Sequence, residues 1–269
     1  MARRFPSSTG LRGLGILVLV LALAAGAWFA LDDGFRSQRS ALMDGGPDAF
    51  GQQVRAYLLE NPEVIIEAMQ GLEERRRTAE LNEIQTVIQS RAEELLNDPA
   101  SPVGGNPVGD VTLVEFFDYN CQYCRRVGPV MIDAEADDSG LRIVYKEFPI
   151  LGPNSTAAAK VALATHRQGR YAEFHKELMQ AEGVADEASA LKLAEELGLD
   201  MERLKEDMEA PEIQAAIDRN LALAQDLRIS GTPTFIVGDQ LLPGATDLGT
   251  LQAMIGRARA GQSQEDGSG

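Results

Sequence analysis

Cys121 and Cys124, in Cys-Gln-Tyr-Cys, are the only cysteines among 269 residues. Their spacing suits redox chemistry. If the first thiol opens a helix, the second lies one turn on, close enough for the two to close a disulfide. The first would then sit among unpaired backbone N–H groups at the positive end of the helix dipole, where a thiolate is favoured. Cys121 is the expected nucleophile. Its sulfur attacks a substrate disulfide, or is attacked by a substrate thiolate when the pair is oxidised, and Cys124 resolves the mixed disulfide. Half of a zinc or iron–sulfur site and a structural disulfide are the bland alternatives. Such metal sites need about four ligands. No second C-x-x-C exists, and the two histidines, His166 and His175, have no ligand spacing to the cysteines. No metal and no cofactor is expected at the pair.

The flanking segments are those that would hold the pair in place. Val111–Phe117 (VTLVEFF) is a near-continuous run of β-branched and aromatic residues, the pattern of a strand covered on both faces. After the cysteines the spacing turns helical, through Val127, Val130, Met131 and Ala134. The motif thus falls at a strand-to-helix junction. Glu115 lies mid-strand in an apolar run, six residues before Cys121. A carboxylate buried there has a raised pKa and can take or give the proton of Cys124. Lys146, on the next expected strand, is its candidate partner, and a solvent-facing Glu115 is the bland alternative. Gln122 and Tyr123 lie between the sulfurs and, being uncharged, would tune the pair through hydrogen bonding and burial.

Glu115–Cys124 (EFFDYNCQYC) resembles the active-site signature of DsbA-like thiol–disulfide oxidoreductases of the thioredoxin fold. Gly231–Phe235 (GTPTF) resembles that superfamily's cis-proline loop. Asp48–Arg77 resembles the extra N-terminal helical segment of the suppressor-of-copper-sensitivity C (ScsC) branch. The resemblance covers residues 48–260. It implies an α/β thioredoxin fold with a helical insertion and an N-terminal helical extension. It also implies a cis bond at Pro233, set against the cysteine pair, leaving the Thr232 backbone free to pair with an extended substrate strand. Gly-Thr-Pro alone would suggest an ordinary trans proline opening a strand. DsbA-like proteins carry a glutamate at the position of Glu115. Asp118 and Tyr119 belong to the signature and are expected to shape the loop before the helix.

Arg3, Arg4 and Arg12 precede the uncharged run Leu14–Leu31, a positive n-region and an apolar h-region. Ala25-Gly26-Ala27 has the form of a cleavage site. The run is also long enough to span a bilayer, with Trp28 near its outer end and Asp32-Asp33 beyond. Residues 1–31 are therefore expected to be a signal peptide or an inner-membrane anchor, placing the rest in the periplasm, where a disulfide-forming motif has substrates. Residues 32–47 read as a linker and 48–97 as a helical extension. In the extension, Phe50, Val54, Tyr57 and Leu58 share one face. After Asn61-Pro62-Glu63, a helix start, Val64, Ile65, Met69, Leu72, Leu81, Ile84, Ile88 and Leu95 continue a narrow stripe. A helix of such length suits self-association.

Residues 98–110 read as a loop and 111–260 as the catalytic domain. Leu141–Phe148 is a second expected strand, ended by Pro149. Helices are expected over Ala157–His166, Tyr171–Gln180, Ala188–Leu197, Met201–Glu209 and Ile213–Leu227, an insertion at 152–228. His166 and His175 read as surface or core residues of these helices. Strands at Thr234–Val237 and Gln240–Leu242 and a helix at Leu248–Ala260 close the domain, with 261–269 a disordered tail. The net charge of −16 argues against nucleic acid. The expected activity is thiol–disulfide exchange on exported proteins carrying thiols or disulfides, with a membrane redox partner. It runs either as a monomeric oxidase or, favoured by the N-terminal helix, as an oligomeric isomerase or reductase. The rival reading is a Cu(I)-binding or holdase protein using the same thiols.

Overall fold

The computed structural model describes residues 47–266. The expected signal or anchor, nearly all of the following linker, and residues 267–269 lie outside the described residues. Among the described residues, no helix is long and apolar enough to cross a membrane.

The chain divides at Arg76 into two compact units. The first holds α1 (Pro47–Glu60) and the start of α2 (Glu63–Ser90). Asn61 separates them, its side-chain amide and its backbone N–H both donating to the Tyr57 carbonyl at 2.9 Å. Pro62 and Glu63 then open α2, as a proline and an acid in a first turn should. Phe50, Val54, Tyr57, Leu59, Ile65, Ile66, Met69 and Leu72 are exposed in the single chain, while Leu58 and Val64 are half-buried.

The second unit, from Arg77, begins with the rest of α2. The expected continuous helix to about residue 96 is interrupted at Arg91, and a short α3 (Ala92–Leu96) follows. Arg91 leaves helical geometry and its guanidinium holds both oxygens of Glu94, at 2.7 and 2.6 Å, and reaches Asp226. Five strands form one sheet in the order β1-β3-β2-β4-β5: β1 (Val103–Gly105), β2 (Val111–Phe117), β3 (Leu141–Glu147), β4 (Thr234–Val237) and β5 (Gln240–Pro243). β2 and β3 run parallel; the other pairs are antiparallel. β1 falls in a segment expected to be loop, because two glycines in three residues hide the strand pattern. Gly104 is required there: a Cβ would come within 2.8 Å of the Tyr145 ring.

α4 (Gln122–Asp137) follows β2, and α5 (Pro153–Arg167), α6 (Tyr171–Gln180), α7 (Glu187–Glu196), α8 (Met201–Met208) and α9 (Pro211–Asp226) follow β3. α10 (Leu248–Asp266) closes the chain and runs six residues past the expected end at Ala260, through the stretch expected to be a disordered tail. Alternation along the strands sorts the core. Leu113 and Phe117 pack on α4, α6 and α10 residues such as Val127, Phe174 and Leu251. Val114, Phe116 and Ile236 face Ile88, Leu95, Leu223 and Ile229 on the other side. The register pairs Glu115 with Tyr145 and Phe116 with Lys146. The expected pairing of Glu115 with Lys146 is therefore wrong. Neighbours one residue apart point to opposite faces. The Lys146 ammonium, fully buried, donates instead to the Glu94 carbonyl at 2.6 Å and to the Ser101 hydroxyl at 2.7 Å.

Candidate active site

The loop between β2 and α4 is built by its own polar residues. Asp118 accepts from the backbone N–H of Asn120 at 2.8 Å and of Leu151 at 2.9 Å, and its carbonyl accepts from Cys121 N at 3.0 Å. Asn120 reaches across to the insertion, bonding Ser155 Oγ at 3.0 Å and both backbone groups of Ala185. Arg125 donates to the carbonyls of Tyr119, Ala181 and Gly183 at 2.7, 2.7 and 2.9 Å. The sequence gives neither Asn120 nor Arg125 a role of its own, because each bonds backbone atoms of the insertion some sixty positions away.

This scaffold puts Cys121 at the N-cap of α4, with its Sγ accepting from the Cys124 N–H at 3.3 Å. Both cysteines are free thiols and buried. The Cys121 thiol donates to the Thr232 carbonyl at 3.2 Å. Its pKa is held down to about 6, foremost by the hydrogen bond from the Cys124 thiol, and also by the Thr232 side chain and the N–H groups of Cys124 and Tyr123, against the opposing cost of burial. Burial drives the Cys124 thiol far up, and so does the hydrogen bond it gives to Cys121. One thiol is thus poised to ionise and the other to keep its proton.

The Thr232–Pro233 bond is cis, the geometry expected from the GTPTF motif. The Thr234 hydroxyl bonds the Gly231 carbonyl at 2.9 Å, and Gly244 N bonds the Pro233 carbonyl at 2.8 Å. The side chains of Gln122 and Tyr123 are exposed; what bears on the sulfur is the Tyr123 backbone. The Tyr123 ring carries the Arg126 guanidinium 5.2 Å from its centroid.

Glu115 is buried on the same face of the sheet as the cysteines, keeping 2% of its surface. Burial, reinforced by the charge on Cys121, pushes its carboxyl up to about 8. A cavity of about 580 Å³ between α4 and α6 is lined by both Glu115 and Cys124, together with Gly128, Met131, Tyr145 and His175. His175 was expected on the surface or in the core, and it lies in the core, its Nδ1 3.1 Å from the Tyr119 hydroxyl. His166 is half-buried on α5. Among the described residues, no group of three or more His, Cys, Asp or Glu side chains is placed to hold a metal ion.

Residues 112–256 match the family model of the DSBA-like thioredoxin domain, and residues 48–79 that of the copper resistance protein ScsC N-terminal domain. A thioredoxin-like oxidoreductase from Silicibacter pomeroyi is 50% identical over 62% of this chain and 97% of its own, with a TM-score of 0.61. BcfH of Salmonella enterica Typhimurium is 30% identical over 82% of this chain and 99% of its own, with a TM-score of 0.68. A curated relative, the Na(+)/H(+) antiporter NhaA 1 of Salinispora arenicola, is 31% identical over 59% of this chain. The match spans only 25% of that protein's length.

Proposed function

Because the chain belongs to the DSBA-like thioredoxin domain family of thiol–disulfide oxidoreductases, we propose that Cys121 and Cys124 are its redox pair, acting outside the cytoplasm on disulfides of exported proteins. The observation that carries this reading is the N-cap sulfur of Cys121, acidified to about 6 beside a resolving thiol that keeps its proton. At neutral pH Cys121 is largely thiolate. It attacks one sulfur of a substrate disulfide, joining that sulfur to Cys121 and releasing the other as a thiolate. Cys124 gives its proton to Glu115, whose carboxyl must first have released its own, and attacks the Cys121 sulfur. The Cys121–Cys124 bond forms, the bond to the substrate breaks, and the substrate thiolate leaves to take a proton from water. The substrate is reduced by two electrons and the pair oxidised by two. The same steps in reverse give a disulfide to a substrate.

Thr232 is the substrate-pairing residue in this scheme. Its N–H has no acceptor among the described residues, and its carbonyl already meets Cys121. An extended segment bonded to Thr232 would bring its own cysteine to that sulfur. Tyr123, Leu151 and Val184 are more than half exposed around the site and suit the apolar side chains of an incompletely folded client.

The apolar residues left exposed on α1 and the start of α2 support self-association through the N-terminal helices, and with it the isomerase or reductase mode. A membrane reductant would then keep Cys121 reduced. The basic and apolar pattern of residues 1–31 supports a periplasmic location, cleaved or anchored. Two assays test the reading together: reactivation of a scrambled-disulfide protein, and solution mass by light scattering. The native chain should reactivate the client and assemble. Cys121→Ala should assemble but lose reactivation, and paired Ile65→Glu and Met69→Glu changes should give monomers. Reactivation that survives Cys121→Ala would overturn the assignment of the nucleophile. Stoichiometric Cu(I) binding without any disulfide exchange would favour the copper-binding rival.

A further inference from the structure

On the face of the sheet opposite α4, the end of α9 and the latter half of α2 meet beside the proline loop. α9 stops at Asp226, and Arg228, two residues on, takes a left-handed backbone at φ 57°. The Arg228 N–H donates to the Gln225 carbonyl at 3.0 Å and the Ile229 N–H to the Ala224 carbonyl at 2.8 Å, the paired bonds of a Schellman stop. This turn buries Leu227 and Ile229 and sends the Arg228 guanidinium to α2, where it pairs with Glu80 at 3.9 Å and with Glu83. Gln85 of α2 donates to Asp239, between β4 and β5, at 3.1 Å. α2 is thus fastened at two points next to the segment that leads into Pro233.

A groove of about 340 Å³ lies there, lined by Ile84 of α2, Leu227, Ile229 and Thr232 of the leading segment, and Leu241 and Pro243 of β5. Ile84 and Leu241 are half-buried and Pro243 is exposed. The charged groups that line it, Glu80 and Arg228, hold each other, so the groove offers aliphatic surface. One side of it is open backbone. The N–H groups of Ser230, Gly231 and Thr232 meet no acceptor among the described residues, and a Cβ on Gly231 would meet no atom within 4 Å.

We propose that this groove seats the residue next to the reactive cysteine of an extended client, and that it selects a large aliphatic side chain at that position. The inference rests on Thr232 as the client-pairing residue. Side chains alternate between the two faces of a strand. A client strand bonded along Ser230–Thr232 turns its cysteine to the face that carries Cys121, Phe117 and Phe235. The residues on either side of that cysteine then point to the other face, which holds Leu227, Ile229 and Leu241. A leucine entering there leaves water for aliphatic walls. An aspartate would lose its hydration and bring a second carboxylate beside Glu80. α2 thereby has two uses. Its start carries exposed apolar residues, and its latter half supplies a wall of the client site.

The test uses the full chain, reduced, and peptide disulfides that differ only beside the cysteine: glycine on both sides, leucine before it, or leucine after it. Each rate is taken relative to that on bis(2-hydroxyethyl) disulfide, which has no side chain to seat and reports Cys121 alone. The native chain should attack at least one leucine peptide on the order of tenfold faster than the glycine peptide. Ile84→Ala removes a wall of the groove and should cut that preference to about threefold or less. Pro243→Asp, at the exposed rim and outside the core, should cut it likewise. Equal rates on leucine and glycine peptides, with attack on the hydroxyethyl disulfide intact, would overturn the groove and leave the Cys121 assignment standing. A leucine preference that survives both substitutions would also overturn it, since the preference would then arise elsewhere, as at Leu151 and Val184. No attack on any of these disulfides would bring down the redox reading as well.

Discussion

The sulfur of Cys121 lies 3.2 Å from the carbonyl oxygen of Thr232, 111 positions away in the chain. The contact joins the nucleophile to the backbone edge on which a client strand would lie. The anion is stabilised from both sides of that contact: by the Cys124 thiol and the backbone N–H groups of α4, and by the Thr232 side chain.

That division makes Cys124 a determinant of how acidic Cys121 is, and not only its resolving partner. With Cys124→Ala, the midpoint of Cys121 alkylation by iodoacetamide should rise from about 6 towards the ordinary thiol range, since the foremost stabilising hydrogen bond is gone. The same variant should accumulate mixed disulfides with clients, visible on non-reducing gels. An unmoved midpoint would mean that the Thr232 side chain and the backbone N–H groups set the acidity without the Cys124 thiol.

Glu115 should make the reduced protein less stable as the pH rises. Burial pushes its carboxyl in the folded chain up to about 8, from an ordinary value of 4.5. Between those values the folded chain keeps a proton that the unfolded chain gives up, so this group's stabilising contribution is full below 4.5 and is lost as pH climbs through 8. Glu115→Gln should therefore stabilise the reduced protein by on the order of 3 kcal/mol at pH 7 and by much less at pH 4. Denaturant titration at both pH values decides it. An equal gain at both would show that the carboxyl is not desolvated.

The sequence carried the reactive centre because that centre is local. Strand, thiols and helix start fall within fifteen consecutive residues, and the proline loop has its own motif. The parts it hid depend on register or on distance. Lys146 was set beside Glu115 because the two strands were known but not their alignment, and a slip of one residue exchanges the faces of a sheet. The cluster of Tyr119, Glu147, Tyr171 and His175 comes from three separate segments, only Tyr171 and His175 sharing one, and no spacing links the three. At the interruption of the long helix, Arg91 reaches Asp226, a partner 135 positions away.

Arg125 ties the active-site loop to the turn after α6 through three backbone carbonyls. Only a guanidinium offers donors in a fork wide enough for that, so lysine should replace it poorly. Arg125→Met leaves those carbonyls without their donor and should cost about 2 kcal/mol. Amide exchange at Ala185, whose N–H is held by Asn120, should quicken in step. Arg125→Lys should recover only part of the loss. Unchanged exchange at Ala185 would show that Asn120 alone secures the turn.

Lys146 should shift stability in the direction opposite to Glu115. Burial lowers its ammonium from 10.5 to about 8, against the weaker pull of Asp98. Between 8 and 10.5 the unfolded chain holds the extra proton, so stability rises with pH across that window. Below 8 the folded protein bears a buried charge whose direct partners among the described residues are the Glu94 carbonyl and the Ser101 hydroxyl. Methionine has similar length and no charge, and such replacements of buried ions are often neutral or stabilising. The informative quantity is the difference between Lys146→Met and the native chain. It should move in favour of the native chain by on the order of 2 kcal/mol between pH 7 and pH 10. A difference that stays flat over that range would place the Lys146 pKa at its ordinary value, and the contacts to Glu94 and Ser101 would then suffice to hold a full charge in the core.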